Sequence, residues 1–269
     1  MKIGKIWPYI LLIIGSVVMI FPFVWMLSTS FKAPMDIFNL SIFPESPTLA
    51  NYIQIIEESM FIKWFLNSII IALITTISVL FFDTLVGYII AKFSFVGRTV
   101  LFILILSTLM VPTEMLIIPW YMMSSDFGWA DTYWGVLFPG LMTGFGVFLM
   151  RQFMEKIPED LLNAARIDGM NEYAIFFKIA VPQVWPAISA LGIFTFLSNW
   201  NAFLWPLIVI ESASLRTLPV GLSFFSSGEA ESKWHLIMTG ATISVIPLIL
   251  VFILLQRHII KGITLTGMK

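Results

Sequence analysis

Six stretches of the chain, at about 7–31, 64–91, 99–124, 132–154, 183–211 and 236–257, are long and predominantly apolar. Roughly 20 such residues are enough for a helix to cross the hydrocarbon core of a bilayer. Helices also satisfy their backbone polar groups internally, which lipid demands. The pattern predicts an all-α, polytopic membrane protein with six transmembrane helices. Composition supports lipid as the solvent, since 59% of the 269 residues are hydrophobic and 12% are charged, with a mean hydropathy of +0.94. A soluble domain of this length has too little interior for that much apolar surface. The first stretch is too long for the core of a signal peptide and has no small-residue cleavage site after it, so it reads as an uncleaved span.

Orientation follows from the Lys and Arg residues of the short loops. With the N-terminus inside, eleven of the 15 basic residues fall on the cytoplasmic side, and only Lys32, Lys63, Arg216 and Lys233 on the other. Both termini are therefore expected in the cytoplasm, together with the loop at about 155–182. The larger outer segments are about 32–63 and 212–235, and the first has room for a short surface helix before Trp64. No repeat or composition break is visible, so residues 1–269 read as a single transmembrane domain. The absence of cysteine excludes disulfides, Cys-ligated zinc and thiol catalysis in this chain. His235 and His258 offer no metal cluster, and the net charge of −1 implies no nucleic acid or other polyanion as partner.

The loop between spans four and five differs from its surroundings. Residues 163–182, NAARIDGMNEYAIFFKIAVP, carry Arg166, Asp168, Glu172 and Lys178. Pro158 fits the first turn of a helix, and Glu159 and Asp160 place negative charge at its positive end. Leu161, Leu162 and Ala165 share one face. Gly169 is placed to end the helix in a left-handed conformation. Asn171 can cap a second helix in which Tyr173, Phe176, Phe177 and Ala180 form an apolar stripe before Pro182. Ala164 and Ala165 give the first helix a low profile suited to a groove on a partner. An amphipathic helix lying on the membrane surface fits the same composition.

The segment resembles the cytoplasmic signature of binding-protein-dependent ABC importer permeases: Glu-Ala-Ala, three residues, Gly, nine residues, Ile, one residue, Leu-Pro. Ala164, Ala165, Gly169, Ile179 and Pro182 match at those spacings, Val181 stands for Leu, and Asn163 stands for the usual Glu. DTYWGVLFPGL (131–141), FLMRQF (148–153), FTFLSNWNAFLWPLIV (194–209), TLPVGL (217–222) and QRHIIKGIT (256–264) resemble the carbohydrate-uptake branch. The likeness covers roughly residues 60–265 and extends to the second permease of maltose-type systems and to glycerol-3-phosphate permeases. It implies a type I ABC importer permease fold in the cell membrane. It also implies a coupling helix around 159–169 that sits in a cleft of the ATPase, with Asn163, Ala164, Ala165, Arg166, Asp168, Gly169, Ile179 and Pro182 forming the coupling segment. The partners it implies are a second homologous permease, an ABC ATPase dimer and an extracytoplasmic solute-binding protein.

No G-x-x-x-x-G-K-[ST] phosphate loop occurs, so ATP and Mg belong on the partner ATPase, and this chain is read as non-catalytic and free of cofactors. An acid within a span is a functional candidate. Asp83 lies near Lys92 and reads as structural, whereas Glu114, between Pro112 and Pro119, either faces a cavity in a kinked span or pairs with a neighbouring helix. Asn199, Trp200, Asn201 and Trp205 are candidates for a sugar path, supplying amides for hydroxyls and rings for C–H faces. Interhelical bonding and an aromatic belt are the alternatives. Gly140 and Gly144 have the spacing of close helix packing. The outer side carries nine acids against four bases, which favours a neutral sugar, such as a di- or oligosaccharide, over glycerol-3-phosphate. A self-contained ion-coupled carrier using Asp83 and Glu114 is the competing reading, although no inverted repeat is visible. A membrane enzyme lacks a nucleophile–base arrangement.

Overall fold

The computed structural model describes residues 7–57, 59–225 and 233–266, without the side chains of 255 and 257–266. Lys2, Lys5, Lys269, Glu58, Glu229 and Glu231, and the side chains of Arg257, His258 and Lys261, thus lie outside the described residues. The described residues form helices and connecting turns, with no strand among them. In chain order the helices are α1 (Trp7–Ser30), α2 (Ala50–Glu57), α3 (Phe61–Lys92), α4 (Arg98–Thr108), α5 (Ile117–Asp126), α6 (Tyr133–Leu137) and α7 (Gly144–Glu155). They continue as α8 (Glu159–Ile167), α9 (Glu172–Ile175), α10 (Val181–Gln183), α11 (Trp185–Trp200), α12 (Leu204–Val209), α13 (Leu218–Ser223) and α14 (Trp234–Thr266).

Three helices, α1, α3 and α14, are long and apolar enough to cross a membrane unbroken, and three bent pairs bring the total to as many as six. The third span, expected to be kinked, and the fourth and fifth, expected to be continuous, are each broken. The third bends by 94° between α4 and α5. Pro112 produces that break, because it begins a 3₁₀ turn over Thr113–Leu116. Pro119 falls in the first turn of α5, where a missing N–H leaves nothing unpaired, so it adds no kink. The fourth bends by 42° between Phe138–Gly140 and α7. Thr143 restarts the helix there by accepting the Gly146 N–H at 3.0 Å. The fifth ends at Trp200 and resumes as α12 only after Asn201–Phe203.

The chain divides into two compact units, Met1–Phe65 with Thr217–Pro247, and Leu66–Arg216 with Leu248–Lys269. In the first, α1 is exposed over most of its length and buries only Thr29 and Ser30. The Asn51 amide on α2, the short helix before Trp64, donates to the carbonyls of Ser30 (2.9 Å) and Lys32 (2.8 Å). His235 reaches the Gln54 side chain at 3.3 Å. The second unit is built on a buried apolar cluster that includes Val79, Met150, Met154, Leu162, Ile175 and Leu191. Small residues admit close contacts in this unit. A Cβ at Gly144 would stand 2.6 Å from Thr108 Oγ1 on α4, and one at Gly140 would stand 3.1 Å from Thr75 Cγ2 on α3. Gly140 and Gly144 lie on either side of the break and pack on different helices, so their spacing marks no single helix face.

Candidate functional site

The polar elbow at 155–182 forms the helix, glycine turn and second helix expected of it. Pro158 takes the capping position just before α8, one residue earlier than the first turn. Gly169 has φ +82°, a conformation that disfavours any Cβ. Its N–H donates to Arg166 O (3.0 Å) and the Met170 N–H to Ala165 O (3.0 Å), so the carbonyls at the end of α8 are satisfied in a Schellman motif. Asn171 caps α9 by accepting the Ala174 N–H at 2.8 Å. Beyond it, Phe176–Ala180 form a π-helical turn before α10. Pro182 cannot donate to a carbonyl one turn earlier, and a widened turn relieves the crowding of its ring.

That wide turn alters which residues face inward. Ile175, Phe176 and Ala180 are buried, whereas Tyr173 and Phe177 are exposed, so the stripe of Tyr173, Phe176, Phe177 and Ala180 is split. On α8, Leu162 and Ala165 are buried in the cluster of this chain. Leu161, expected on the same face as these two, is instead exposed and joins Ala164 and Ile167 on the open side of the helix, with Ile167 85% exposed. Ala164 and Ala165 therefore point in different directions, and Ala165 anchors the helix while Ala164 is open to a partner. Asn163, Asp168 and Gly169 are also exposed, Arg166 and Ile179 are half-buried, and Pro182 is exposed at the elbow's far end. Ile167 was not singled out by the spacing motif, and only the helical phase relative to Leu162 marks it.

Polar contacts tie this elbow to the end of α3. Lys92 Nζ donates to Ile157 O at 2.6 Å and to Glu159 Oε1 at 2.9 Å, and its side chain is only 3% exposed. One turn earlier, the Tyr88 hydroxyl donates to Glu172 Oε2 at 3.3 Å. Glu172 also accepts from Arg166 Nε at 2.7 Å and Nη2 at 3.4 Å. Asn163, in the position of the usual Glu, accepts from Arg166 Nη1 at 2.7 Å. Its side chain is thus engaged within the chain.

The residues suggested for a substrate path are not gathered into one lining. Glu114 is exposed at the α4–α5 bend. Its carboxylate has no partner among the described residues. Trp200 is 2% exposed and stacks on Phe196, with centroids 5.9 Å apart, which removes it from any open surface. Asn199 and Asn201 donate back to the carbonyls of Thr195 and Leu197, both at 2.8 Å, so their amides bond within the helix and not across it. Trp205 donates to Gly135 O at 3.0 Å and meets Trp120 edge-on at 5.7 Å. Asn199, Asn201 and Trp205 each keep some exposure around the α11–α12 break.

Two carboxylates hold the frame. Asp83 is fully buried and accepts from Thr143 N (3.1 Å to Oδ1) and Thr143 Oγ1 (2.6 Å to Oδ2). It lies at the N-terminus of α7, where negative charge is favoured, and a Cβ at Gly146 would overlap its Oδ2. Asp131 opens the DTYWGVLFPGL stretch and is one of the outer acids, and neither fact assigns it a partner. In the structure it has φ +55° and accepts from Glu211 N (3.0 Å), Ser212 N (2.8 Å) and the Ser212 hydroxyl. The side-chain bond from Ser212, followed by the backbone bonds, holds its carboxyl below the usual range.

A set of bent apolar helices carrying a braced polar elbow is the architecture of an integral membrane protein. The chain belongs to the family of binding-protein-dependent transport system inner membrane components, whose profile matches residues 83–265. It is 36% identical to the arabinooligosaccharides transport system permease protein AraQ of Bacillus subtilis, over 94% of this chain and 92% of the relative. It is 30% identical to the sn-glycerol-3-phosphate transport system permease protein UgpE of Agrobacterium fabrum, over 98% and 97% of the two chains. The fold matches a chain in the crystal structure of a bacterial ABC transporter involved in the import of the acidic polysaccharide alginate. That match has a TM-score of 0.83 at 22% identity, covering 95% of this chain and 96% of the other. The protein is thus a multi-pass inner-membrane component.

Proposed function

We propose that this chain is one of two permease halves of an ATP-driven, binding-protein-dependent importer of a neutral sugar, a di- or oligosaccharide. Both termini and the 155–182 elbow face the cytoplasm, in keeping with the distribution of Lys and Arg. The observation that carries the reading is the division of α8 into an anchored face, Leu162 and Ala165, and an open apolar ridge, Leu161, Ala164 and Ile167. An apolar ridge flanked by Asp160, Asn163 and Asp168 suits a cleft on an ATPase subunit that supplies ATP and Mg. The coupling segment comprises Asn163, Ala164, Ala165, Arg166, Asp168, Gly169, Ile179 and Pro182, with Ile167 added. The chain itself carries no cofactor and acts beside a second permease and a soluble binding protein.

Supporting a sugar are the arabinooligosaccharide relatives and the asparagines and Trp205 at the α11–α12 break, while the acidic outer loops disfavour a phosphate-bearing solute. Glu114, exposed at the α4–α5 bend, is assigned to the path as an acidic group apart from the asparagines and Trp205. Uptake in membrane vesicles holding the complete system tests this, with an arabinooligosaccharide and glycerol-3-phosphate compared. Sugar uptake that stops on ATP depletion and survives collapse of the ion gradients is expected. Uptake that follows a proton or sodium gradient would favour the ion-coupled carrier instead, and preference for glycerol-3-phosphate would overturn the substrate assignment.

A further inference from the structure

α3 is unbroken, and from Leu66 onward it belongs to the second unit, where α4–α5, α6–α7 and α9–α11 are each bent by 42° or more. Its 32 residues span about 48 Å at 1.5 Å per residue. Polar side chains inside an apolar span are costly and survive where they have a task. At least five polar side chains of α3 bond other segments. Asn67 donates to the carbonyls of Ser214 and Arg216, both at 2.9 Å, and accepts from the Tyr133 hydroxyl at 2.7 Å. Ser78 donates to Leu141 O at 2.7 Å, Asp83 holds Thr143, and Tyr88 and Lys92 hold the elbow.

Tyr88 and Lys92 are four residues apart and so occupy one face of α3. Lys92 grips the turn before α8 at Ile157 and the first residue of α8, Glu159. Tyr88 reaches the other end of α8 through Glu172 and Arg166, and Arg166 in turn holds Asn163. α8 is therefore held at both ends. The apolar contacts of Leu162 and Ala165 are non-directional and resist sliding or rolling weakly. Hydrogen bonds have fixed lengths and directions, so a displaced α8 carries its donors with it.

We propose that Lys92 and Tyr88 are positioning residues that make α3 the transmission rod of this permease. Motion of α8 passes through them to Asp83 and Thr143 in mid-span and to Asn67 and the 214–216 loop at the far end. The proposal rests on the reading of α8 as the ATPase-docking helix and says which span receives its motion. The two can fail separately. A wild-type complex whose uptake ignores ATP would sink the docking reading.

The test uses the complete transporter in proteoliposomes, with solute imported per ATP hydrolysed and retained ATPase subunits measured together. Lys92→Met with Tyr88→Phe should keep the ATPase bound and hydrolysing while the ratio falls about fivefold or more. Lys92→Arg should restore the ratio. Tyr88→Phe alone removes one hydroxyl, leaves the fold intact, and should lower the ratio by a smaller factor. A purely structural role would lower uptake and hydrolysis in step. That outcome, loss of the bound ATPase, or an unchanged ratio in both variants overturns the proposal.

Discussion

Ile167→Ser separates docking from folding. Ile167 is 85% exposed, so nearly all of its side chain is available for burial in a partner's cleft. Fully burying such a side chain contributes about 1.5–3 kcal/mol. At 1.4 kcal/mol per tenfold, the variant should bind the ATPase about 10- to 140-fold more weakly. Its own stability should change by no more than about 0.5 kcal/mol, as for a surface substitution without partners. Leu162, five residues earlier on the opposite face, is fully buried, and Leu162→Ala should cost about 2–5 kcal/mol of stability. The assay titrates ATPase onto the permease pair in nanodiscs and records thermal unfolding of the same samples. Unchanged ATPase affinity for Ile167→Ser, or a loss of thermal stability matching that of Leu162→Ala, would refute the assignment of the two faces.

Gly146→Ala should destabilise the fold by about 1–3 kcal/mol, because its methyl displaces the Asp83 carboxylate that holds Thr143, the cap of α7. A thermal midpoint equal to wild type would show that Asp83 can move freely. The Asp131 carboxyl is held low in the folded chain, so its contribution is present above the ordinary carboxylate range and is lost as pH falls through the depressed value. A spin label at Glu211 should therefore loosen in strong acid in the wild type. In Asp131→Asn it should show no pH step, and an identical acid transition in both proteins would contradict the role of Asp131 in holding this loop.

Much of the elbow is legible because its signals are local. Gly169 and Asn171 fix a helix end and a helix start through their own backbone and side chain, with no help from distant residues. The inward face of the second helix is not legible from a 3.6-residue period. The π turn at Phe176–Ala180 shifts the phase and turns Phe177 outward. Hydropathy likewise finds the spans but misses their breaks. Pro112 could be read as a break and Thr143 as a cap, but the bond from Thr143 to Asp83, 60 residues away, leaves no mark in either local stretch. The candidate path shows the same limit. The four-residue spacing of Phe196 and Trp200 allows their stacking, but nothing nearby in the sequence indicates that this pair turns inward while Trp205 stays partly exposed.

The chain has no cysteine, so a single one can report on its surroundings without background. Crosslinking from Ala164→Cys in native membranes, with the captured polypeptide identified, bears most directly on the claim that α8 is gripped by a nucleotide-driven subunit. An ATP-binding chain should be captured, with a yield that changes when ATP is added, while Ala165→Cys, facing inward, should capture none. Equal capture from both positions, or capture of no ATP-binding chain from Ala164→Cys, would contradict it.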